Sequence, residues 1–430
     1  MTVGETQIHS TSSTIQRSTD RWIVFAICSA AYLISYFHRM SSAVMAPSIA
    51  EEFGVTAIQL GFLSSTYFWA YAVLQLPVGI LTDRHGPRAV ISTGTAVAAL
   101  GTIVFGTARQ YGVALIGRTL TGVGVAAVYV PSLKLLGASF GAAEFATVTG
   151  LFVAVGNLGA IMAGGPFAAA VSTIGWRAAF LVIGAITAAV SVASIACLRD
   201  KHSSARPPED AVAGQIRGAS PERDHQSRAR AVAIGTLGAI IFLKYGPLMA
   251  YQGLWGAPYL MEVRAMTSVQ AGKVLAAVSF GYLLGGPAGG VLADRTGMSH
   301  RTLLVATSAI YLAAWAPLGL FAATASTTVL CLSSAVMGIM SAASGIVTYS
   351  MVREFAGPDH AGKGLGVVNT CSLGGGSVFQ LALGSIIDRA AAGGLAPAAA
   401  YAAAFRFAFL GVLTMAALTL TLKGPAKASS

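Results

Sequence analysis

The stretch Gly79-Ile-Leu-Thr-Asp83-Arg84-His-Gly86-Pro-Arg88 occurs twice in this sequence. The second copy is Gly290-Val-Leu-Ala-Asp294-Arg295-Thr-Gly297, in which the glycines, leucine, aspartate and arginine recur at the same spacing. Each copy follows a long apolar run and begins another. A charged tight turn duplicated half a chain apart predicts two homologous halves that move against each other, and parallel repeats of this kind are one architecture of secondary transporters.

The composition excludes an ordinary soluble protein. Of 430 residues, 55% are hydrophobic and only 10% are charged, whereas charged residues make up roughly 25% of soluble proteins. The net charge of +11 is scattered over short loops without a basic stripe, so a nucleic-acid partner is not expected. The four cysteines lie in apolar runs without metal-like spacing, and no metal or other cofactor is predicted.

Hydropathy divides the chain into apolar runs long enough to cross a membrane, which takes about 20 residues each. Twelve can be drawn, at about 22–45, 57–81, 89–108, 111–136, 145–171, 175–198, 231–259, 268–293, 302–324, 326–350, 363–388 and 397–422. Residues 1–20 are polar without a hydrophobic segment, so a cleaved signal peptide is not expected. The predicted organisation is an N-terminal tail (1–21), a six-helix bundle (22–198), a linker (199–230), a second six-helix bundle (231–422) and a C-terminal tail (423–430).

Lysine and arginine predict the orientation in the membrane. They concentrate in the two tails, in the linker and in the loops that begin at Asp83 and Asp294. The loops on the other side hold only Arg109, Arg177, Arg264 and Arg389. Positive residues favour the cytoplasmic side, so we expect a multi-pass protein of the cytoplasmic (inner) membrane with both termini and the linker inside the cell.

The duplicated G-x-L-x-D-R-x-G loop resembles the signature of the major facilitator superfamily, in which it joins the second and third spans of each half. The resemblance implies an all-α fold of twelve transmembrane helices in two pseudo-symmetric halves, a monomer that works by alternating access. It also implies that the loops are gates, in which Asp83 and Asp294 pair with an arginine or a helix N-terminus. The expected gating residues are Gly79, Asp83, Arg84, Gly86, Arg88, Gly290, Asp294, Arg295 and Gly297. The second copy departs from the pattern after Gly297, because the next basic residue is delayed to Arg301.

Charges inside the predicted spans are all of one sign. Six basic residues lie within the apolar runs: Arg39, Arg118, Lys134, Lys244, Lys273 and Arg406. The acidic residues lie in loops, tails or the outermost turn of a span. Ionisable residues within a membrane are costly and usually functional. A set of cations without an internal counter-ion predicts an anionic substrate.

Arg39 and Lys244 are the strongest candidates for the substrate site. The resemblance implies that spans 1, 4, 7 and 10 line a central cavity, and these residues lie on spans 1 and 7. Both are roughly 20–25 Å along long helices, near mid-depth. Opposed cations there would clamp a carboxylate or phosphate. The alternative is that each cation reaches the interface from a helix end, which requires shorter spans.

Other polar residues of the spans are candidates for the same cavity. His38 could carry a coupled proton or be a packed imidazole, and Arg118 could contact substrate or only backbone carbonyls. Lys134 and Lys273 are expected to reach the membrane interface, and Arg406 has no functional interpretation. The full set of predicted substrate-binding residues is Arg39, Lys244, His38, Tyr36, Arg118, Tyr245, Asn157, Gln252, Asn369 and Ser344.

The segment from Arg39 to Gly54, continued by Phe68 to Pro77, resembles the start of anion:cation symporters for sugar acids. Similar stretches occur in sugar-phosphate and nitrate-like carriers. In the symporters an aspartate usually precedes the span 1 arginine, and span 4 carries a glutamate. Here the first position is His38, and the stretch 122–129 has no acid. Either His38 couples protons or the carrier exchanges one anion for another.

The sequence therefore favours a transporter of a small organic anion, such as a carboxylate, sugar acid or organic phosphate, and not an enzyme. Export of a drug or siderophore-like compound is the alternative if Tyr67, Phe68, Trp69, Tyr71 and Trp255 line the cavity. A non-transporting membrane sensor is an alternative of another class. It would be favoured by a large added cytoplasmic domain, and the linker is too short to be one.

Overall fold

Long apolar segments can cross a bilayer only if their backbone groups bond to one another, which favours helices. The structure, a computed structural model, describes residues 4–140, 142–198, 221–295, 297–357 and 361–422. These residues form α-helices and one π-helical turn, with no β-strand among them. The described part of the chain is therefore an all-helical protein, as predicted.

The described residues of the first half, 4–140 and 142–198, form eight helical segments. They are α1 (Gly4–Met40), α2 (Ser42–Phe53), α3 (Ala57–His85), α4 (Pro87–Thr107), α5 (Tyr111–Ala126), α6 (Tyr129–Ser139), α7 (Ala142–Met162) and α8 (Gly165–Cys197). The last of these changes direction at Gly175.

The part of the second half that the structure describes, from residue 221 to 422 with gaps at 296 and 358–360, forms seven α-helices and the π-helical turn. They are α9 (Pro221–Ala250), the π-helical turn (Tyr251–Trp255), α10 (Gly256–Glu262), α11 (Ser268–Arg295), α12 (His300–Phe321), α13 (Thr327–Ala356), α14 (Ala361–Ala392) and α15 (Pro397–Thr421).

Within the described residues, ten helical stretches are long and apolar enough to cross a membrane. Most of the predicted linker, 199–220, and the C-terminal tail lie outside the described residues. Where the description resumes, the chain is already helical at Pro221, inside the predicted linker. Likewise α1 begins at Gly4, inside the predicted N-terminal tail.

The helical structure that begins in the first apolar run extends further than the sequence suggested. The apolar run was expected to end near residue 45, but after a break at Ser41 the chain continues as α2 to Phe53. Glu52, in the last turn of α2, is bonded by Arg177 and by Trp176 Nε1, the latter at 2.8 Å. Glu52 is therefore held by the protein within the last turn of α2.

The bundle has two ends, which we name after the acidic residue at each. The Glu52 end carries the α2–α3, α10–α11 and α14–α15 connections, and the Asp83 end carries the α3–α4 and α11–α12 connections. The two halves meet along α3 and α14, and near the Glu52 end also through α2 with the π-helical turn and α10. Gly164 and Gly272 bring α8 and α11 together near that end as well.

Each of the duplicated loops contains a glycine in a left-handed backbone conformation. Gly86 and Gly297 take φ values of +82° and +61°, which favour glycine because it has no Cβ. After the first loop, Arg88 donates to the carbonyl oxygen of Ile195 near the end of α8, at 2.7 Å. After the second, Arg301 donates to the carbonyl oxygen of Leu420 in the last turn of α15, at 3.0 Å. The delayed arginine of the second copy therefore makes a contact equivalent to that of Arg88.

The described ion pairs at the Asp83 end each lie within one half. Asp83 accepts from Lys134 Nζ at 2.7 Å, so this lysine, expected only to reach the interface, bonds the signature aspartate. Both side chains are largely exposed, and such pairs contribute about 0–1 kcal/mol. Arg84 and Arg295 are exposed, and Gly79 and Gly290 face open space. The side chain of Asp294 lies outside the described residues.

Candidate functional site

Arg39 lies in the last turn of α1, where the first span breaks, and its side chain is 6% exposed. The guanidinium lies over the rings of Tyr36 and Tyr71, at 4.6 and 5.4 Å from their centroids. Its Nη1 donates to the hydroxyl of Tyr245 in the second half at 3.2 Å. Its Nε has no partner. A buried cation is thus held by neutral aromatic groups, with donor capacity left for an anion.

Lys244 lies in the last two turns of α9, near the middle of the apolar helical stretch Arg230–Glu262, and is 2% exposed. Its Nζ donates to Ser344 Oγ at 3.0 Å and to the carbonyl oxygen of Ser341 at 3.2 Å, both on α13. The next residue along the chain, Tyr245, is the partner of Arg39. The structure therefore places Arg39, Tyr36 and Tyr245 in contact between the halves, while Lys244, which adjoins Tyr245 along α9, bonds Ser344 within the second half. We call these five residues of the predicted site the Arg39–Lys244 cluster.

Arg118 on α5 is 1% exposed and is bonded within the first half. It donates from Nη2 to the backbone carbonyl oxygen of His38 at 2.7 Å and to Ser42 Oγ at 2.6 Å. Its guanidinium also lies 4.8 Å from the ring centroid of Tyr67. These contacts tie α5 to the break between α1 and α2, next to Arg39. Arg118 can therefore position the Arg39 segment without contacting a substrate itself.

The imidazole of His38 faces away from the contact between the halves. Its Nε2 lies 3.2 Å from Thr102 Oγ1 on α4, and its ring centroid lies 6.2 Å from that of Phe180 on α8. The side chain is fully buried among these helices. In this arrangement the imidazole packs inside the first half, while the adjacent Arg39 faces the second.

The remaining predicted polar residues lie outside the Arg39–Lys244 cluster. Asn157 donates to Val153 O of its own helix at 3.0 Å. Gln252 donates to Ser279 Oγ at 2.7 Å, which ties the π-helical turn to α11. Asn369 Nδ2 lies 3.4 Å from Gln75 Oε1, across the contact of α14 with α3. Of these, only Asn369 joins the two halves by a side-chain contact.

The five aromatic residues of the export alternative do not all lie together: Tyr67 contacts Phe68 and Tyr71, while Trp69 and Trp255 lie elsewhere. Trp69 is 43% exposed on the outside of the bundle. Trp255 donates to the carbonyl oxygen of Gln380 at 2.9 Å, and Tyr67 donates to that of Ser35 at 2.9 Å. Of the five, only Tyr71 contacts Arg39.

Among the described residues the buried cations have no carboxylate partner. The described salt bridges join Arg21 to Glu144, Lys134 to Asp83, Arg177 to Glu52 and His300 to Glu354. None includes Arg39, Arg118 or Lys244. A buried charge is costly in free energy unless a group of opposite charge is paired with it. The cluster is therefore suited to an anion that comes from outside.

Asp388, which the sequence analysis did not single out, links the two halves at the Glu52 end. Its two carboxylate oxygens accept from the backbone N–H groups of Ala57 and Ile58, at 2.8 and 2.7 Å. These are the first amides of α3, where a carboxylate also interacts favourably with the helix dipole. Because Asp388 belongs to α14, the contact cannot persist if this end opens.

Replacing Asp388 by asparagine is expected to open the Glu52 end more often. The change removes the charge and one of two acceptors, and hydrogen bonds to charged groups contribute about 1.5–3 kcal/mol. Spin labels at Glu51 and Leu395, placed after the native cysteines are replaced, measure the separation of the halves at this end. We expect the distance distribution to shift to longer values in the variant.

Glu262→Gln is the control, because Glu262 lies at the same end but bonds Tyr401 within the second half. Its distribution should match that of the unmodified labelled protein. Equal distributions in Asp388→Asn and the control would show that the Asp388 contact does not hold this end closed.

The chain is similar to known transporters in its sequence and in its fold. The model of the Major Facilitator Superfamily matches residues 28–248 and 237–430. The probable sulfoacetate transporter SauU of Cupriavidus necator is 25% identical over 383 residues, which cover 87% of this chain and 89% of that protein. The probable L-galactonate transporter of Escherichia coli is 31% identical over 156 residues, which cover 36% of this chain and 34% of that protein.

A solved structure shares the fold. A bacterial homolog to the human lysosomal transporter Spinster, in an inward-facing and unoccupied conformation, superposes with a TM-score of 0.72. It covers 93% of this chain and 96% of its own, at 19% sequence identity. At that identity the similarity concerns the fold alone.

Proposed function

The chain belongs to the major facilitator superfamily, a family of non-enzymatic multi-pass membrane transporters, and from this premise we propose that it moves a small organic anion by alternating access. The membership confirms the family that the duplicated loop predicted. The proposed substrates are carboxylates, sugar acids, sulfonates and organic phosphates. Transport would be by proton symport or by exchange of anions.

The proposed architecture is twelve spans in two halves of six, working as a monomer. Two further helices, α3 and α7, join the ten stretches that are long and apolar enough to cross a membrane. We propose that the protein lies in the cytoplasmic (inner) membrane and that its Asp83 end faces the cytoplasm, since lysine and arginine concentrate in the loops at this end. Both termini then lie inside the cell.

The observation that carries the proposal is the environment of Arg39. This guanidinium is buried between two tyrosine rings, donates to the Tyr245 hydroxyl of the second half and has an Nε without a hydrogen-bond partner among the described residues. Arginine presents a planar set of donors that matches carboxylate and phosphate oxygens. An anion bound there would lie between the halves, where alternating access requires the substrate to bind.

The relatives support the chemical class. Besides the probable sulfoacetate and L-galactonate transporters, they include a probable galactarate/D-glucarate transporter of Bacillus subtilis, 22% identical over 311 residues. The substrates in these names differ in size, but each carries at least one carboxylate. An arginine that binds carboxylate oxygens would suit such a range of substrates.

A thermal-shift panel tests the proposal. Purified protein is melted with sulfoacetate, galactonate, glucarate, glucose 6-phosphate and nitrate, and separately with cationic amphiphiles. Binding to the native state stabilises by mass action, about 2.7 kcal/mol at a concentration 100 times Kd. We expect one class of organic anion to raise the melting temperature and to accumulate inside proteoliposomes.

Two other results of these measurements would replace the proposed function. Stabilisation by cationic amphiphiles alone would replace the anion proposal by export of amphipathic compounds. Binding of an anion without any uptake or exchange in proteoliposomes would favour a sensor.

A further inference from the structure

The number of hydrogen-bond acceptors around the Lys244 side chain matches a neutral amine. Its two hydrogen-bond partners, Ser344 Oγ and the carbonyl oxygen of Ser341, are both uncharged. Ser344 donates its own proton to Met340 O at 2.6 Å and so can only accept from the lysine. A protonated lysine has three N–H donors. The two contacts satisfy the two donors of an amine and leave an ammonium group one acceptor short.

The surroundings of Lys244 contain no compensating charge. Its side chain is 2% exposed, and none of the described salt bridges includes it. The ionisable groups nearest to it or to its neighbour Tyr245 are Tyr311 on α12, Tyr349 on α13, Tyr282 on α11 and Cys371 on α14, while Arg406 lies on an exposed face of α15. An ammonium at this place would therefore have phenols and a thiol near it, and no carboxylate among these groups.

The other ionisable residues of the central region are poorly suited to carry a proton. Arginine is always protonated in proteins, which excludes Arg39 and Arg118. The His38 imidazole faces Thr102 and Phe180 inside the first half. The described carboxylates lie at helix ends, as Glu52, Asp83, Glu262 and Asp388 do. Apart from the phenols of Tyr36 and Tyr245, Lys244 is thus the group of the Arg39–Lys244 cluster that can gain and lose a proton.

We propose that Lys244 is a neutral amine in the anion-free carrier and binds one proton when the anion binds, so that anion and proton cross the membrane together. The inference rests on the proposed function, because it requires an anion beside Arg39. The amine lone pair takes the proton from the aqueous phase that supplies the anion. When the anion leaves on the other side the proton leaves as well, and the neutral lysine allows the empty carrier to return.

The experiment measures protons and anion binding together. Calorimetric titrations with sulfoacetate, and in parallel with galactonate, are run at mildly alkaline pH in buffers of different ionisation enthalpy. Both probes are fully ionised there, so any proton that is taken up binds the protein. We expect one proton per bound anion. The affinity should fall about tenfold per pH unit in this range, the slope for linkage to a single proton.

Lys244→Arg is the decisive variant, because arginine keeps the positive charge and cannot release its proton. It is expected to bind the anion without proton uptake and with a flat pH dependence. In proteoliposomes it should still exchange internal for external anion, while a pH gradient no longer drives net uptake. Lys244→Gln provides a second variant that also takes up no proton, and its anion binding should be weaker.

Three results would contradict the inference, and the third would also contradict the proposed function. Binding to the unmodified protein without proton uptake overturns the inference and leaves the proposed function standing. Proton uptake that persists in Lys244→Arg but disappears in His38→Gln assigns the coupling to the histidine and also overturns it. If neither probe binds and the wider panel fails, the proposed function and the inference fail together.

Discussion

Arg39→Gln is expected to abolish anion-dependent stabilisation and anion transport. The variant removes the charge and the planar donors at the contact between the halves, and loss of one partner of a buried charged pair costs 2 to about 5 kcal/mol. Since about 1.4 kcal/mol corresponds to a factor of ten, the affinity should fall at least roughly 30-fold. Arg39→Lys keeps the charge but not the fork of donors, so an intermediate loss is expected.

The same variant should not weaken the fold. Arg39 is a buried cation that no described carboxylate compensates, and exchanging buried charges for neutral groups is often neutral or stabilising. The melting temperature of Arg39→Gln without ligand should therefore equal or exceed that of the unmodified protein. Arg406→Gln is the matched control, because Arg406 is exposed on α15. It should keep full anion binding. Normal binding by Arg39→Gln would rule out this arginine as the anion site.

Gly281→Val is expected to prevent stable folding. A Cβ at Gly281 would fall on the backbone carbonyl oxygen of Ala335, where α11 crosses α13. Gly285 and Gly289 continue the same row against Ile339 and Ala343. Small residues let helices approach closely in membranes, and overpacking costs about 1–3 kcal/mol or more. Because the obstacle is backbone, the two helices would have to separate.

Gly286→Val is the control on the same helix, since nothing lies within 4 Å of a Cβ built at Gly286. Membrane expression and the melting temperature of purified protein measure both variants. We expect the control to resemble the unmodified protein and Gly281→Val to lose most of its folded yield. Equal yields would show that α11 and α13 tolerate a wider separation than the structure has.

The fold was largely predictable because its signals are local and repeated. Apolar runs identify membrane helices whatever their neighbours, and the loop at Asp83 recurs at Asp294. The end of the first span was harder to predict. The last turn of α2 carries Glu51 and Glu52, and in the sequence these acidic residues indicate the start of a loop. In the structure Arg177 and Trp176 bond the Glu52 side chain within the helix.

The candidate site was predictable in its residues but not in its contacts. A lysine or arginine inside an apolar run stands out in any sequence, so Arg39 and Lys244 could be named. Nothing in the sequence showed that Tyr245 bonds Arg39 or that the adjacent His38 faces α4. Along a helix, neighbouring residues point in directions about 100° apart. Adjacent residues therefore serve different surfaces.

The sequence by itself determined an all-helical, duplicated membrane protein with positive charges inside its spans and no matching acids. Only the tertiary structure decided which groups meet: Arg39 with Tyr245, Lys244 with Ser344, and Asp388 with the first amides of α3. The reason is physical. Burial and helix formation depend on residues within a few turns of one another, whereas these hydrogen bonds join residues that are 206, 100 and more than 300 positions apart.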